Sequence, residues 1–366
     1  MAATMKSPIS AADLTSIPDF IEKFKGVKSL VDSGITNIPD FYVRPKDERP
    51  GELDSTASVD QIPVFDLAAL HGEGRGALVK AIGEACEEWG IFQVINHGVR
   101  SNVMKSMMGV SKGFFHLPMD EKMLYYSNVP SQPVRYGTSF NPLHESVLEW
   151  RDVLKHMVIT SPPEENIQYW PDKPPAYREA TKNYILEMMV VRTKILSAIS
   201  EALGLDSNYL QGVFEQQMLG LNHYPECPNP DLALGISSHS DASGITILLQ
   251  DGQVAALQAL HQNRWVCVQP LPDSLVVIVG DQLQILSNGK YKSAEHRAIV
   301  NREKERVSIV TLFLASNDTL LAPIAKLLDK SHRPKYQDIK CEKYMQKYLN
   351  KQHNKKSTLD SIKLDK

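Results

Sequence analysis

Two histidines and an aspartate constrain this chain more than any other feature. His239 and Asp241 are separated by one residue, Ser240, and His296 lies 55 residues beyond Asp241. Around them run the β-branched segments Ile245–Leu249, Leu275–Val279 and Val307–Leu314, divided by polar turns such as Ser287-Asn288-Gly289. If His239-Ser240-Asp241 lies on a strand, period-two alternation puts its outer side chains on one face. His296 joins them only from a strand lying opposite, so the sheet must fold back on itself. The segment Ser274–Val279 is apolar on both faces, as expected of a strand buried on both. Closely spaced strands with turn signals predict an antiparallel sandwich or jelly roll with helices packed outside.

The first 215 residues have a different texture. Ile62–Asp66 and Ile91–Ile95 predict short strands. Leu78, Ile82, Ala85 and Trp89 recur at helical spacing, and Gly90 ends that helix. A longer helix is predicted from Tyr177 to Leu203. Its apolar stripe is Ile185, Met188, Met189, Ile195, Leu196, Ile199 and Leu203, with Gly204 just beyond. The expected organisation is a mixed α/β region over 1–215, a jelly-roll core over 216–320 and a helical tail over 321–366. That tail carries Tyr344 and Tyr348; it either lids the mouth of the barrel or lies solvated on the surface.

Charge and composition exclude some partners. A net charge of −3 argues against nucleic acid. No apolar stretch approaches the ~18 residues of a membrane span, and Met1 to Asp19 holds no uninterrupted apolar run of the signal-peptide kind. Cys86, Cys227, Cys267 and Cys341 stand at no metal-ligand spacing and read as reduced thiols. The expectation is a cytoplasmic monomer acting on a small molecule, with no nucleic-acid or membrane partner.

Two imidazoles and one carboxylate can hold iron with up to three coordination positions open. The same set can hold catalytic zinc, although no His-Glu-x-x-His helix is present, and a bare His-x-Asp also arises by chance. Arg306 and Ser308 share a strand face in an otherwise apolar run. A guanidinium there needs an anion: either a ligand carboxylate held by its fork, or an internal acid. Asn222 and Tyr224 share a face ahead of a Pro-rich turn, and a tyrosine hydroxyl can donate to a carboxylate. His223 points the other way and reads as a pocket wall or a packed residue rather than a ligand. His97, Trp89, Trp150 and Trp265 also read as structural.

These motifs together carry a resemblance. Ile62–Asp66, Trp89–Gly98, Asn222–Pro228, His239–Asp241, Gly280–Gly289 and Arg306–Ser308 are similar to the corresponding segments of the plant 2-oxoglutarate- and Fe(II)-dependent dioxygenases of specialised metabolism. The resemblance covers nearly the whole chain. It implies a mainly β fold with flanking helices, a double-stranded β-helix or distorted jelly roll. It implies Fe(II) on His239, Asp241 and His296, and 2-oxoglutarate held by Arg306, Ser308, Tyr224 and Asn222. Oxygen would be the other co-substrate, ascorbate would stimulate, and no catalytic residue beyond the iron ligands is implied.

Gly26–Ile35, Arg135–Pro142 and Leu148–Asp152 look like the feruloyl-CoA 6′-hydroxylase and benzoxazinoid-hydroxylase branch of that family. The chain departs from the branch at Ser238, where a basic residue is usual, at Ala256, where Gly is usual, and at Leu312, where a stacking Phe is usual. The expected substrate is a hydroxycinnamoyl-CoA or related phenolic. The alternative is a terpenoid or other non-planar metabolite undergoing hydroxylation, desaturation or ring closure. Leu312, Tyr136, Thr138 and Phe140 are expected to line the pocket, with Phe313 facing away. An inert ligand-binding protein is the competing class; it predicts damage to the triad or to the Arg-Ser pair, and neither is damaged.

Overall fold

Alternating and fully apolar β-branched runs become strands wherever both faces find cover. In chain order these are β1 (Val64–Asp66), β2 (Ile91–Ile95), β3 (Val134–Thr138), β4 (Asp152–Ile159), β5 (Gln216–Tyr224), β6 (Ile236–His239), β7 (Ile245–Gln250), β8 (Leu257–His261), β9 (Arg264–Cys267), β10 (Leu275–Val279), β11 (His296–Ala298) and β12 (Arg306–Leu314). The structure is a computed structural model that describes residues 16–51, 61–127, 129, 132–140, 142, 145–159, 166–350 and 357–364. Most of the N-terminal segment Met1 to Asp19, the end of the polar stretch at Glu52, and Asn141 in the Arg135–Pro142 motif lie outside the described residues.

Eight strands form a major sheet in the order β1-β2-β10-β7-β12-β5-β4-β3, and four form a minor sheet in the order β6-β11-β8-β9. The β1–β2 pairing is parallel; the other pairings in both sheets are antiparallel. The two sheets face each other across a cavity, which gives the expected mainly β jelly roll with helices outside. The major sheet crosses residue 215: β1 to β4 come from before it, and β5, β7, β10 and β12 from after it.

Strand parity decides which side chains meet the cavity. On β12, Arg306, Ser308, Val310, Leu312 and Leu314 line it. Val307, Ile309 and Phe313 are buried, and Ile309 and Phe313 pack in the core that the helices cover. The helices Arg75–Glu88, Ser101–Phe115 and Tyr177–Ala202 supply that cover. The long helix buries Ile185, Met188, Ile195, Leu196 and Ile199 as its periodicity predicts, with Met189 partly buried. Gly90 ends the first of these helices at φ 67°, where a Cβ would lie 2.1 Å from the Lys292 carbonyl oxygen. All four cysteines are free thiols. Among the described residues no helix is long and apolar enough to cross a membrane.

A second core joins the chain's start to its centre. Phe20, Tyr42 and Trp150 are fully buried together, the last two rings 4.9 Å apart. The Asp152 carboxylate accepts from the backbone N–H groups of Val27 at 2.7 Å and Lys28 at 2.9 Å. The segments Gly26–Ile35 and Leu148–Asp152 therefore meet in space.

The tail folds back. In the helix Cys341–Asn350, Tyr344 and Tyr348 are buried. Tyr344 Oη donates to Asp281 Oδ2 at 2.6 Å, and Tyr348 Oη donates to the Ser240 carbonyl at 2.9 Å. Met345, Tyr348 and Leu349 form part of the cavity wall. The helix therefore packs against the cavity wall rather than lying wholly solvated on the surface.

The turn after β6 is clamped from below. The N–H groups of Gly280, Asp281 and Gln282 donate to the carbonyls of Gly244, Asp241 and Ser243 at 2.9, 2.8 and 3.0 Å. A Cβ on Gly280 would sit 2.1 Å from the Ser243 carbonyl oxygen. Gly280→Ala is therefore expected to push the turn away and destabilise the protein by about 1–3 kcal/mol, the usual cost of overpacking. Chemical denaturation measures this; an unchanged midpoint would show that the turn yields freely.

Candidate active site

Backbone pairing assembles the first three side chains. In the β6–β11 register His239 lies directly opposite His296, and their ring centroids are 4.3 Å apart. The strand ends at His239, so Asp241 is not on it, contrary to the alternation expected for His-x-Asp. The clamped turn carries Asp241 instead. It brings Oδ1 to 3.7 Å from His239 Nε2 and 3.8 Å from His296 Nε2. The three donor atoms lie within 4.8 Å of one another, and all three residues are buried.

The remaining polar atoms of the set are committed elsewhere. His239 Nδ1 donates to the Ser237 carbonyl at 2.8 Å, and His296 Nδ1 to the Ala294 carbonyl at 3.0 Å. A carbonyl only accepts, so each Nδ1 carries hydrogen, and the neutral tautomer this selects presents its Nε2 lone pair to a metal. Asp241 Oδ2 accepts from Thr246 Oγ1 at 2.6 Å, which turns Oδ1 toward the imidazoles. Two neutral imidazoles and one carboxylate on one side of a cavity fit a ferrous ion with open positions. Tyr348 braces the loop at Ser240. Burial and then the Asp241 charge hold its phenol well above the usual range, so it remains a donor.

The Arg-Ser pair stands in the same cavity. Arg306 pairs with Tyr224 and Ser308 with Asn222 across β12 and β5, and all four line it. Arg306 is 2% exposed, yet no acid is within ion-pair distance of it among the described residues. Its Nη2 donates to Gln250 Oε1 at 3.2 Å, and its Nε has no partner. Asp251, whose charge it feels, is paired with Lys112 at 2.7 Å. The internal salt bridge that sequence alone left open is absent among the described residues. A buried guanidinium with an orphaned N–H fits a ligand carboxylate. The Tyr224 ring lies 5.2 Å from the guanidinium. Asn222 Oδ1 accepts from Arg151 Nη1 at 2.8 Å.

Two expected pocket residues face elsewhere. Tyr136 and Thr138 do not line the cavity; Tyr136 packs in the helix-covered core with its hydroxyl 3.3 Å from Asp152 Oδ2, and Thr138 donates to the Arg151 carbonyl at 2.9 Å. The β3 parity puts Arg135 inward instead. Ser139, at φ 55°, then breaks the alternation, and Phe140 does reach the cavity, as does Leu312. Arg135, Val153, Lys155, Met157 and Met218 also line it and were not foreseen. Only the relative phase of β3 and β4, and for Met218 the pairing of β5 with β12, could have pointed to them.

The residues read as structural have partners. His223 is buried, stacked on Phe115 with centroids 4.9 Å apart, and its Nε2 lies 2.9 Å from Glu305 Oε2. His97 Nε2 lies 3.0 Å from the Asp273 carbonyl. Trp150 Nε1 donates to the Pro225 carbonyl at 3.2 Å, the Trp89 ring stacks on His261 at 3.7 Å, and Arg297 lies 4.1 Å from the Trp265 ring.

Comparison with known proteins agrees with this geometry. Residues 215–315 match the 2OG-Fe(II) oxygenase superfamily, and residues 62–175 match the non-haem dioxygenase in morphine synthesis N-terminal region. The chain is 39% identical to Protein DMR6-LIKE OXYGENASE 1 of Arabidopsis thaliana, covering 89% of this chain and 94% of that protein. It is 36% identical to Feruloyl CoA ortho-hydroxylase 2 of Arabidopsis thaliana, covering 97% and 99%. It superposes on the crystal structure of JOX2 in complex with 2OG, Fe and JA with a TM-score of 0.83 at 34% identity, over 93% of this chain and 98% of that one. The fold, the buried His-Asp-His set and these relatives agree: the chain belongs to the 2OG-Fe(II) oxygenase superfamily and is a plant-type 2-oxoglutarate-dependent dioxygenase.

Proposed function

We propose that the protein hydroxylates a small plant specialised metabolite, with a hydroxycinnamoyl-CoA or related phenolic as substrate. One observation carries the oxygenase assignment to these residues: a metal-competent His-Asp-His set and an orphaned buried arginine share one cavity. Iron, when bound with 2-oxoglutarate, supplies the activation of O2 that converts the co-substrate to succinate and CO2 and oxidises the substrate. His239 Nε2, His296 Nε2 and Asp241 Oδ1 would hold the metal. Ser237 and Ala294 fix the imidazole tautomers, and Thr246 orients the carboxylate. Arg306, Ser308 and Tyr224 would hold the distal carboxylate of 2-oxoglutarate, with Asn222 beside them.

The rest of the wall excludes water and positions the substrate. Val153, Met218, Leu312 and Leu349 give it an apolar surface, and the helix Cys341–Asn350 covers it. The phenolic assignment draws on end-to-end similarity to Feruloyl CoA ortho-hydroxylase 2. A second reading, a non-planar substrate, is favoured by Leu312, which occupies a cavity-lining place where that branch carries a stacking ring. The similar structure that holds JA fits this reading too. Action as a monomer is part of the proposal. A cytosolic setting with ascorbate as a stimulant completes the proposal.

Arg306→Lys is expected to raise the KM for 2-oxoglutarate at least about tenfold, because lysine loses the two-pronged fork. The main-substrate KM should move less. Steady-state kinetics with each co-substrate varied checks this; a change confined to the main substrate would assign Arg306 to the other half of the cavity.

Leu312→Phe separates the two substrate readings. If Leu312 widens the cavity for a non-planar body, the added ring costs that substrate about 1–3 kcal/mol in kcat/KM and spares flat phenolics. Parallel assays on a terpenoid panel and a hydroxycinnamoyl panel decide it; equal effects on both would remove Leu312 from specificity.

A further inference from the structure

One corner of the cavity is used by neither the metal set nor the Arg306 site. Arg135 on β3 and Lys155 on β4 stand directly opposite each other in the antiparallel register, and both face the cavity. Like charges in that position repel. Neither has an acid within ion-pair distance among the described residues. Arg135 Nη2 reaches only Met157 Sδ, at 3.6 Å, and its Nε is buried with no partner. Lys155 Nζ lies 5.1 Å from the Phe140 ring centroid.

The acids that could neutralise them are taken. Glu149 Oε2 pairs with Arg151 at 2.8 Å, and its Oε1 accepts from Ser237 N and Oγ at 3.1 and 3.0 Å. Glu145 accepts from Ser139 Oγ. The neighbouring cation Arg151 is therefore satisfied, and Arg135 and Lys155 are not. Burial pushes the Lys155 ammonium down to about 7, with Arg151 and Arg135 adding to the shift and the more distant Glu149 and Glu145 opposing it, and burial lowers Arg135 as well. Two facing basic groups with no directly paired acid among the described residues weaken a fold, and a ligand that brings an anion between them offsets that cost.

We propose that Arg135 and Lys155 form an anion-binding subsite that selects a substrate carrying a carboxylate, or a comparable anionic group, on an apolar body. The proposal rests on the assignment of this cavity to the substrate. Arg135 supplies a planar fork and Lys155 a point charge; Val153, Leu312 and Phe140 meet the apolar body. The anion can be the substrate's own carboxylate or a phosphate of a thioester carrier, and the test separates the two.

The full chain, loaded anaerobically with Fe(II) and 2-oxoglutarate, is titrated calorimetrically with ferulate, methyl ferulate, feruloyl-CoA, jasmonate and methyl jasmonate. Wild type is expected to bind at least one anion about tenfold or more tightly than its ester. Arg135→Met and Lys155→Met should each abolish that preference, while the ligand-free melting temperature stays level or rises as the repulsion is relieved. If Arg135→Met fails to fold, Arg135→Gln replaces it. Binding of feruloyl-CoA without ferulate, lost in both variants, would keep the subsite and place the anion on the carrier. Esters that bind as tightly as acids, absence of binding by every anion, or a preference retained in both variants would overturn the proposal. Repeating the titration on metal-free protein keeps the result readable if iron fails to load, which would count against the oxygenase assignment alone.

Discussion

The pairing of β6 with β11 is the interaction on which the rest depends. It sets His239 directly opposite His296 and so brings two imidazoles from separate strands onto one point. That pairing occupies the inner sheet of a jelly roll, so the imidazoles face an enclosed cavity rather than solvent. The turn that carries Asp241 must then be held against the end of β6, and three N–H groups from Gly280 to Gln282 do this. Tyr344 on Asp281 and Tyr348 on Ser240 tie the C-terminal helix to the same two segments. The C-terminal helix and the metal set are thus tied to the same two segments.

The cavity divides its charges by function. Arg151 is neutralised internally by Glu149 and serves to orient Asn222. Arg306 has only neutral partners, Gln250 and Tyr224, and no paired acid among the described residues, which supports the proposal that it takes a co-substrate carboxylate. Leaving a buried cation uncompensated weakens the protein in the ligand-free state, and binding recovers that loss. The same logic separates His223, locked onto Glu305 and Phe115, from His239 and His296, whose Nε2 atoms are kept for a metal.

Strand composition and helix periodicity were legible because each element satisfies its own pattern. β10 is apolar throughout and buried throughout; the helix Tyr177–Ala202 buries its predicted stripe; Arg306 and Ser308 share the cavity with Asn222 and Tyr224, as face parity requires. What escaped sequence depends on long-range partners or local backbone. Asp241 leaves its strand because the turn is clamped by a helix start about forty residues away. Tyr136 and Thr138 face away from the cavity because the phase of β3 is set by β4, and Ser139 at φ 55° then brings Phe140 round. That the tail packs on the core turned on Asp281 and Ser240, which no pattern in the tail encodes.

The central claim is that His239, Asp241 and His296 form one iron site. Anaerobic equilibrium dialysis against Fe(II) in the presence of 2-oxoglutarate tests it directly, comparing wild type with Asp241→Ala. One iron per chain in wild type, lost in a variant whose far-ultraviolet circular dichroism is unchanged, is the predicted result. A wild-type protein that retains no iron, or an Asp241→Ala variant that holds it as tightly, would contradict the account.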